Sequence, residues 1–313
     1  MKRNALVAAL LIVVIAATAA AQDEEPQLAE YLPATEKALG LPQAVRAVNL
    51  DGAFQAMYNL DFENAESEVQ QFIAEQPGNP VGPAARAASV LFSIFEKQKV
   101  LQSELFSSDQ KYEQQATVAP DRALLDQFDS ALRQAEEQSR QALTRNASDQ
   151  DALFALTLVY GLRADHAALV ERRDFAALRF ANTGNGWARK LLSRSPEFYD
   201  AYVATGIQQY LVSLRPASVR WMLRLGGIKG DQDEGLGELE LAANKGRYLA
   251  PFAQILLAIA NLRTGNPAEA RRLLDGLHQQ FPSNPLFAEE IDHLRRSSAG
   301  DPAILGNSIK GQE

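Results

Sequence analysis

Apolar residues recur along this chain at helical spacing, and five segments share one pattern. A small residue is followed by apolar groups four and seven positions on, and a helix stop comes about twelve positions on. Ala65, Val69, Phe72 and Pro77 fit it, as do Ala270, Leu274, Leu277 and Pro282. Gly184, Ala188, Leu191 and Pro196 fit with glycine as the small residue. Ala135, Ser139, Ala142 and Ala147 fit loosely, and Gly235, Leu239 and Ala242 fit without the terminal proline. The spacing puts all three positions on one helical face, where the small residue permits close approach of a partner helix.

The intervals between the small residues carry a second period. Ala65 to Ala135 is 70 residues and Gly235 to Ala270 is 35. The intervals from Ala135 to Gly184 and from Gly184 to Gly235 are 49 and 51. Each of these is one repeat of roughly 34 residues plus an insert of roughly fifteen or seventeen. The inserts fall near 164–181 and 213–230. In the first, His166, Val170, Phe175 and Leu178 are expected along one side of an extra or lengthened helix. In the second, Pro216 suits the first turn of a short helix and Gly226 its C-terminal cap.

The rest of the pattern is helical too. Phe54, Met57 and Leu60 predict an opening helix, and Asp61 caps the next. Ala84, Ala88, Leu91, Ile94 and Phe95 predict a long helix within 83–115. The first helices of the later hairpins are apolar nearly all round, with Phe154, Leu156, Leu158 and Val159 in one and Phe252, Ile255, Leu256, Leu257, Ile259 and Leu262 in another. A helix apolar on every side is covered on every side. The groove of the array, lined by Phe154, Leu158, Tyr210, Phe252, Ile255 and Ile259, is therefore filled by the inserts, or else by an apolar ligand or a partner helix.

On these spacings the chain resembles the tetratricopeptide repeat superfamily over most of 44–294, most strongly at 53–80 and 248–285. The resemblance implies an all-α fold: a tetratricopeptide-like solenoid of helical hairpins, here with two helical inserts. A narrower likeness runs over 199–262. Gly206, Tyr210-Leu211-Val212-Ser213, Pro216, Trp221-Met222-Leu223, Gly226, Gly230-Asp231, Gly235-Leu236 and Leu239 resemble the fungal inclusion-body clearance proteins and their animal tetratricopeptide relatives. That family is linked to lipid-droplet and mitochondrial outer-membrane roles and is not known for enzymes. An exported chain departs from that setting, so the likeness implies architecture rather than cellular role.

Export is read from the N-terminus. Lys2 and Arg3, the apolar run 5–17 and Ala19-Ala20-Ala21 before Gln22-Asp23-Glu24-Glu25 predict a signal peptide at 1–21, with an uncleaved membrane anchor as the alternative. A polar tether (22–43), a repeat domain (44–297) and a disordered tail (298–313) are expected to follow. The protein is then periplasmic or secreted. Its 313 residues include no cysteine, so disulfides, thiolate metal sites and a cysteine nucleophile are excluded. A net charge of −8 argues against general nucleic-acid binding.

Candidate chemistry is sparse. Gly226-Gly227-Ile228-Lys229-Gly230-Asp231 lacks the Gly-Lys-Ser/Thr ending of a phosphate loop, so it reads as a turn with Asp231 or Asp233 capping the next helix. His166, His278 and His293 have no metal-ligand spacing, and no H-E-x-x-H or G-x-S-x-G occurs. No cofactor, metal site or catalytic residue is expected. One basic group stands out in the acidic chain: Arg215, Arg220, Arg224 and Lys229 with Trp221. It suits an acidic protein partner or a membrane interface. The sequence thus predicts a non-catalytic scaffold or adaptor for protein–protein interaction in the cell envelope. The alternatives are a carrier of a lipid-like apolar ligand and a membrane-surface assembly factor.

Overall fold

The computed structural model describes residues 49–100, 121–214 and 230–298. The expected signal peptide, the tether, all of the tail but its first residue, and most of the second insert lie outside them. The described residues form eleven α-helices and no strand. They are α1 (Asp51–Tyr58), α2 (Phe62–Glu75), α3 (Val81–Lys97), α4 (Arg122–Arg145), α5 (Gln150–Asp165), α6 (Asp174–Leu192), α7 (Tyr202–Ser213), α8 (Gln232–Lys245), α9 (Ala250–Arg263), α10 (Pro267–Gln280) and α11 (Pro285–Ser298). Each helix packs on the next, so α1/α2, α3/α4, α5/α6, α7/α8 and α9/α10 form hairpins, and α11 follows α10.

The shared spacing marks the buried stripe of every second helix. Ala65, Val69 and Phe72 are the buried residues of α2, and Ala270, Leu274 and Leu277 those of α10. Gly184, Ala188 and Leu191 of α6, Ala135, Ser139 and Ala142 of α4, and Gly235, Leu239 and Ala242 of α8 are buried likewise. Ser139 fits the seam because its hydroxyl donates to the Ala135 carbonyl at 2.7 Å, which leaves no polar group unpaired. The small residue matters most where α7 crosses α8. A Cβ on Gly235 would lie 2.5 Å from the backbone nitrogen of Tyr210, and one on Gly206 would lie 2.9 Å from the carbonyl oxygen of Gly235. Backbone meets backbone there, and only glycine leaves the space.

The expected caps form. Asp61 accepts from the Asn64 amide at 3.2 Å, and Asp231 from the amides of Asp233 and Glu234 at 3.0 and 3.1 Å. Two expectations need correction, and one pair of alternatives is decided. Leu60 does not continue α1; it sits in the turn at φ 61°. Of the two forms expected for the first insert, the lengthened helix is the one found: α5 runs on as a π-helical turn, His166–Val170, and α6 starts early at Asp174, so both arms of the hairpin are lengthened. Its expected stripe is also split. Val170 and Leu178 are buried, but Phe175 is 77% exposed, because the wider π turn and the reversal at 171–173 break the helical register.

Turns from each second helix to the next first helix lie along one edge and are tied together there. Asn79 donates to the Asp151 carboxylate at 2.9 Å, Gln138 to the Pro77 carbonyl at 3.1 Å and Gln150 to the Ser195 hydroxyl at 2.6 Å. Buried Asp200 accepts from the amides of Arg247, Tyr248 and Leu249 at 3.1, 3.0 and 2.7 Å. The series then returns to its start. Arg247 pairs with Asp51 of α1 at 2.9 Å, the Tyr58 hydroxyl donates to the Tyr248 carbonyl at 3.0 Å, and Asn284 donates to the Tyr58 carbonyl at 2.8 Å. The array curls back onto its own first helix.

Candidate interaction surface

The other edge carries the connections from first to second helix within each hairpin. At both ends of the array these are short, 59–61 and 264–266. In three consecutive hairpins the two arms are further apart in sequence, ending and restarting at 97 and 122, 165 and 174, and 213 and 232, and of the first and last of these only the ends are described. Insertions in a repeat array collect on one face because only that side of each unit can lengthen without breaking the stacked core. The middle connection is described in full, and it ends in a charged tip of Glu171, Arg172, Arg173 and Asp174 followed by Phe175.

Residues 171–175 are all exposed at that tip, and Arg172 takes the left-handed conformation, φ 53°, that reverses the chain. Phe175 is the one exposed large hydrophobic side chain among the described residues. Arg179 lies one turn further along α6, on the same face, with its guanidinium 5.6 Å from the Phe180 ring. Arg173 pairs with Glu171 at 3.3 Å, with two thirds of its side chain still exposed. Beneath the tip, Ala167, Ala168 and Ala177 make a small core of their own, covered by Leu169 and Phe180. The small side chains let the two arms close tightly and leave no recess for Phe175.

The basic group read from the sequence, Arg215, Arg220, Trp221, Arg224 and Lys229, lies outside the described residues. Its two anchor points are described. Gly230 lies against Val212 and the Ser213 amide with no room for a side chain, so the chain leaves α7 and returns to α8 at one point.

The residues expected to line the groove separate into two sets. Phe154 and Leu158 are buried. The Phe154 ring lies 4.9 Å from Phe198 and 6.3 Å from Tyr248, and Tyr248 stacks on Phe54 of α1 at 4.8 Å. Phe252 is half-buried, edge-on to Phe92 of α3 at 6.4 Å, and Ile255 rests on the α10–α11 core beside Tyr58. These side chains are therefore packed against turn residues Phe198 and Tyr248, Phe92 of α3 and the α10–α11 core, an arrangement that the reading of inserts, ligand or partner helix missed.

Tyr210 and Ile259 face an apolar pocket between α7, α8 and α9 instead. Its walls are Ile207, Leu211, Leu214, Leu239 and Leu256, and Arg263 completes the lining. Tyr210 is 5% exposed and its hydroxyl has no hydrogen-bond partner. Burial pushes the phenol pKa up, and the positive charge of Arg263 acts in the opposite sense. Sequence reasoning missed Arg263. The only signal was its position one turn after Ile259 at the end of an apolar helix, which equally suits a cation at a helix C-terminus.

Other titratable groups bind the scaffold together. Glu136 of α4 accepts from Arg140 and Arg163 at 2.7 Å and from the Tyr160 hydroxyl at 2.8 Å. Burial acts to raise its pKa, but these hydrogen bonds outweigh it and hold the carboxyl below its ordinary value. Asp165 and His166 meet where α5 becomes the π turn. Burial raises the Asp165 carboxyl to about 7 and lowers the His166 imidazole, whose Nε2 has no partner. Among the described residues one stretch, 150–170, is long and apolar enough to cross a membrane, and 61% of its most apolar window is buried inside the protein, as in a core helix. No protein-family model, curated protein or solved structure matches this chain.

Proposed function

We propose that this chain is an exported, non-catalytic scaffold of the tetratricopeptide type, and that it recruits a protein partner through the edge bearing its lengthened connections. The observation that carries the reading is the lengthened, fully described connection between α5 and α6 with the exposed Phe175 at its tip, flanked in the chain by two hairpins whose arms are also joined by long stretches of sequence. The tied turn edge and the closed array support it, because a rigid frame holds the opposite edge in one geometry and lowers the ordering cost of binding. An exposed aromatic beside arginines suits a partner with an apolar recess rimmed by carboxylates. Five buried seams with one spacing support the tetratricopeptide reading of the hairpins. The test is affinity capture from the native cell envelope with wild-type protein and Phe175→Glu. A partner recovered with the wild type is expected to be reduced about tenfold or more with the variant, as for loss of a central aromatic anchor. Equal recovery removes the tip from the interface.

A further inference from the structure

A second site follows from the pocket between α7, α8 and α9, on observations independent of the edge. We propose that it binds an alkyl carboxylate of the fatty-acid class, with the carboxylate held by Arg263 and the Tyr210 hydroxyl. Three features select this chemistry. First, the Tyr210 hydroxyl is buried without a partner, although buried hydroxyls are nearly always satisfied. A ligand oxygen would complete it. Second, Arg263 has no ion-pair or hydrogen-bond partner among the described residues and lines the same pocket as that hydroxyl. A guanidinium and a hydroxyl acting together fit a carboxylate. Third, every other lining side chain is aliphatic. A peptide laid there would leave its own amides unpaired, whereas an alkyl chain has none to satisfy.

The path for a longer chain is also present. Phe252, Ile259 and Arg263 fall at intervals of seven and four along one stripe of α9, and Phe252 and Ile259 are half-buried. The enclosed part of the pocket is small, so it takes the carbons nearest the carboxylate, and the remainder runs along that stripe. The C-terminal end of α9 disfavours an anion. The site therefore depends on Arg263.

Titration calorimetry and thermal shift on detergent-free purified protein test this with three probes: dodecanoate, dodecanol and a hexapeptide ending in leucine with a free carboxylate. Dodecanoate is expected to bind saturably, about tenfold or more weakly to Arg263→Gln and about threefold more weakly to Tyr210→Phe. Dodecanol is expected to bind less well and to ignore Arg263→Gln. Tyr210→Phe loses no protein partner, so its ligand-free Tm is expected to equal or exceed the wild type while the dodecanoate-induced shift shrinks. The proposal is overturned by equal dodecanoate binding to wild type and Arg263→Gln, by no saturable binding, or by a ligand-free Tm several degrees lower in Tyr210→Phe. Preference for the hexapeptide also overturns it and assigns the pocket to a polypeptide end.

Discussion

Ser139 and Asp165 show two outcomes for a polar group in a helical seam. Ser139 satisfies itself through the carbonyl one turn back. Asp165 does not: it is only partly accessible to solvent, and burial raises its carboxyl from 3.8 to about 7. A raised folded-state pKa means that the folded protein holds the proton more tightly than the unfolded chain. That contribution is complete below pH 3.8 and is lost as pH rises towards 7. His166 runs the other way: its imidazole is lowered, so its contribution is lost as pH falls below 6.5. Asp165→Asn isolates the first effect. It is expected to match the wild type at pH 4 and to exceed it by about 1–2 kcal/mol at pH 8 in urea denaturation, allowing for the partial exposure. The caps at Asp61 and Asp231 were legible in the sequence because a cap is a local event. The meeting of Tyr210 and Arg263 at one pocket was not, since it joins two hairpins.

Among elements, the spacing rule located every second helix because it reports the one face that must be apolar and small. It could not locate the end of α5, because no proline or glycine stands just after Asp165 and the apolar residues 167–170 carry the pattern on through the π turn. The same limit placed Phe175 in the wrong phase. The junction of α8 and α9 rests on Asp200, which accepts three consecutive backbone amides from its buried position. Asp200→Ala leaves those amides without a partner and is expected to cost about 2–4 kcal/mol in urea denaturation. Asp200→Asn keeps one acceptor oxygen and is expected to cost less. Equal stability of the alanine variant would show that water replaces the carboxylate.

Across the whole molecule, closure is the feature that no local pattern announces. An open repeat array couples only neighbours and unravels from its ends. Here Tyr58 and Tyr248, 190 residues apart, share a hydrogen bond, and the Tyr58 ring also rests 5.1 Å from Phe281. Tyr58→Ala is expected to cost about 3–5 kcal/mol. By hydrogen exchange, it should lower protection in α10 and α11 as much as in α1 and α2. Loss confined to α1 and α2 would mean that the ends meet without supporting one another. The closed frame leaves the edge of lengthened connections as the surface that varies from hairpin to hairpin, and the proposed scaffold role stands on that edge. A photo-crosslinking residue placed at position 175, compared in the native host with one at the exposed Ala147 on the tied turn edge, tests this most directly. A discrete adduct from position 175 and none from 147 is the predicted result; no adduct from 175, or the same adducts from both, would contradict it.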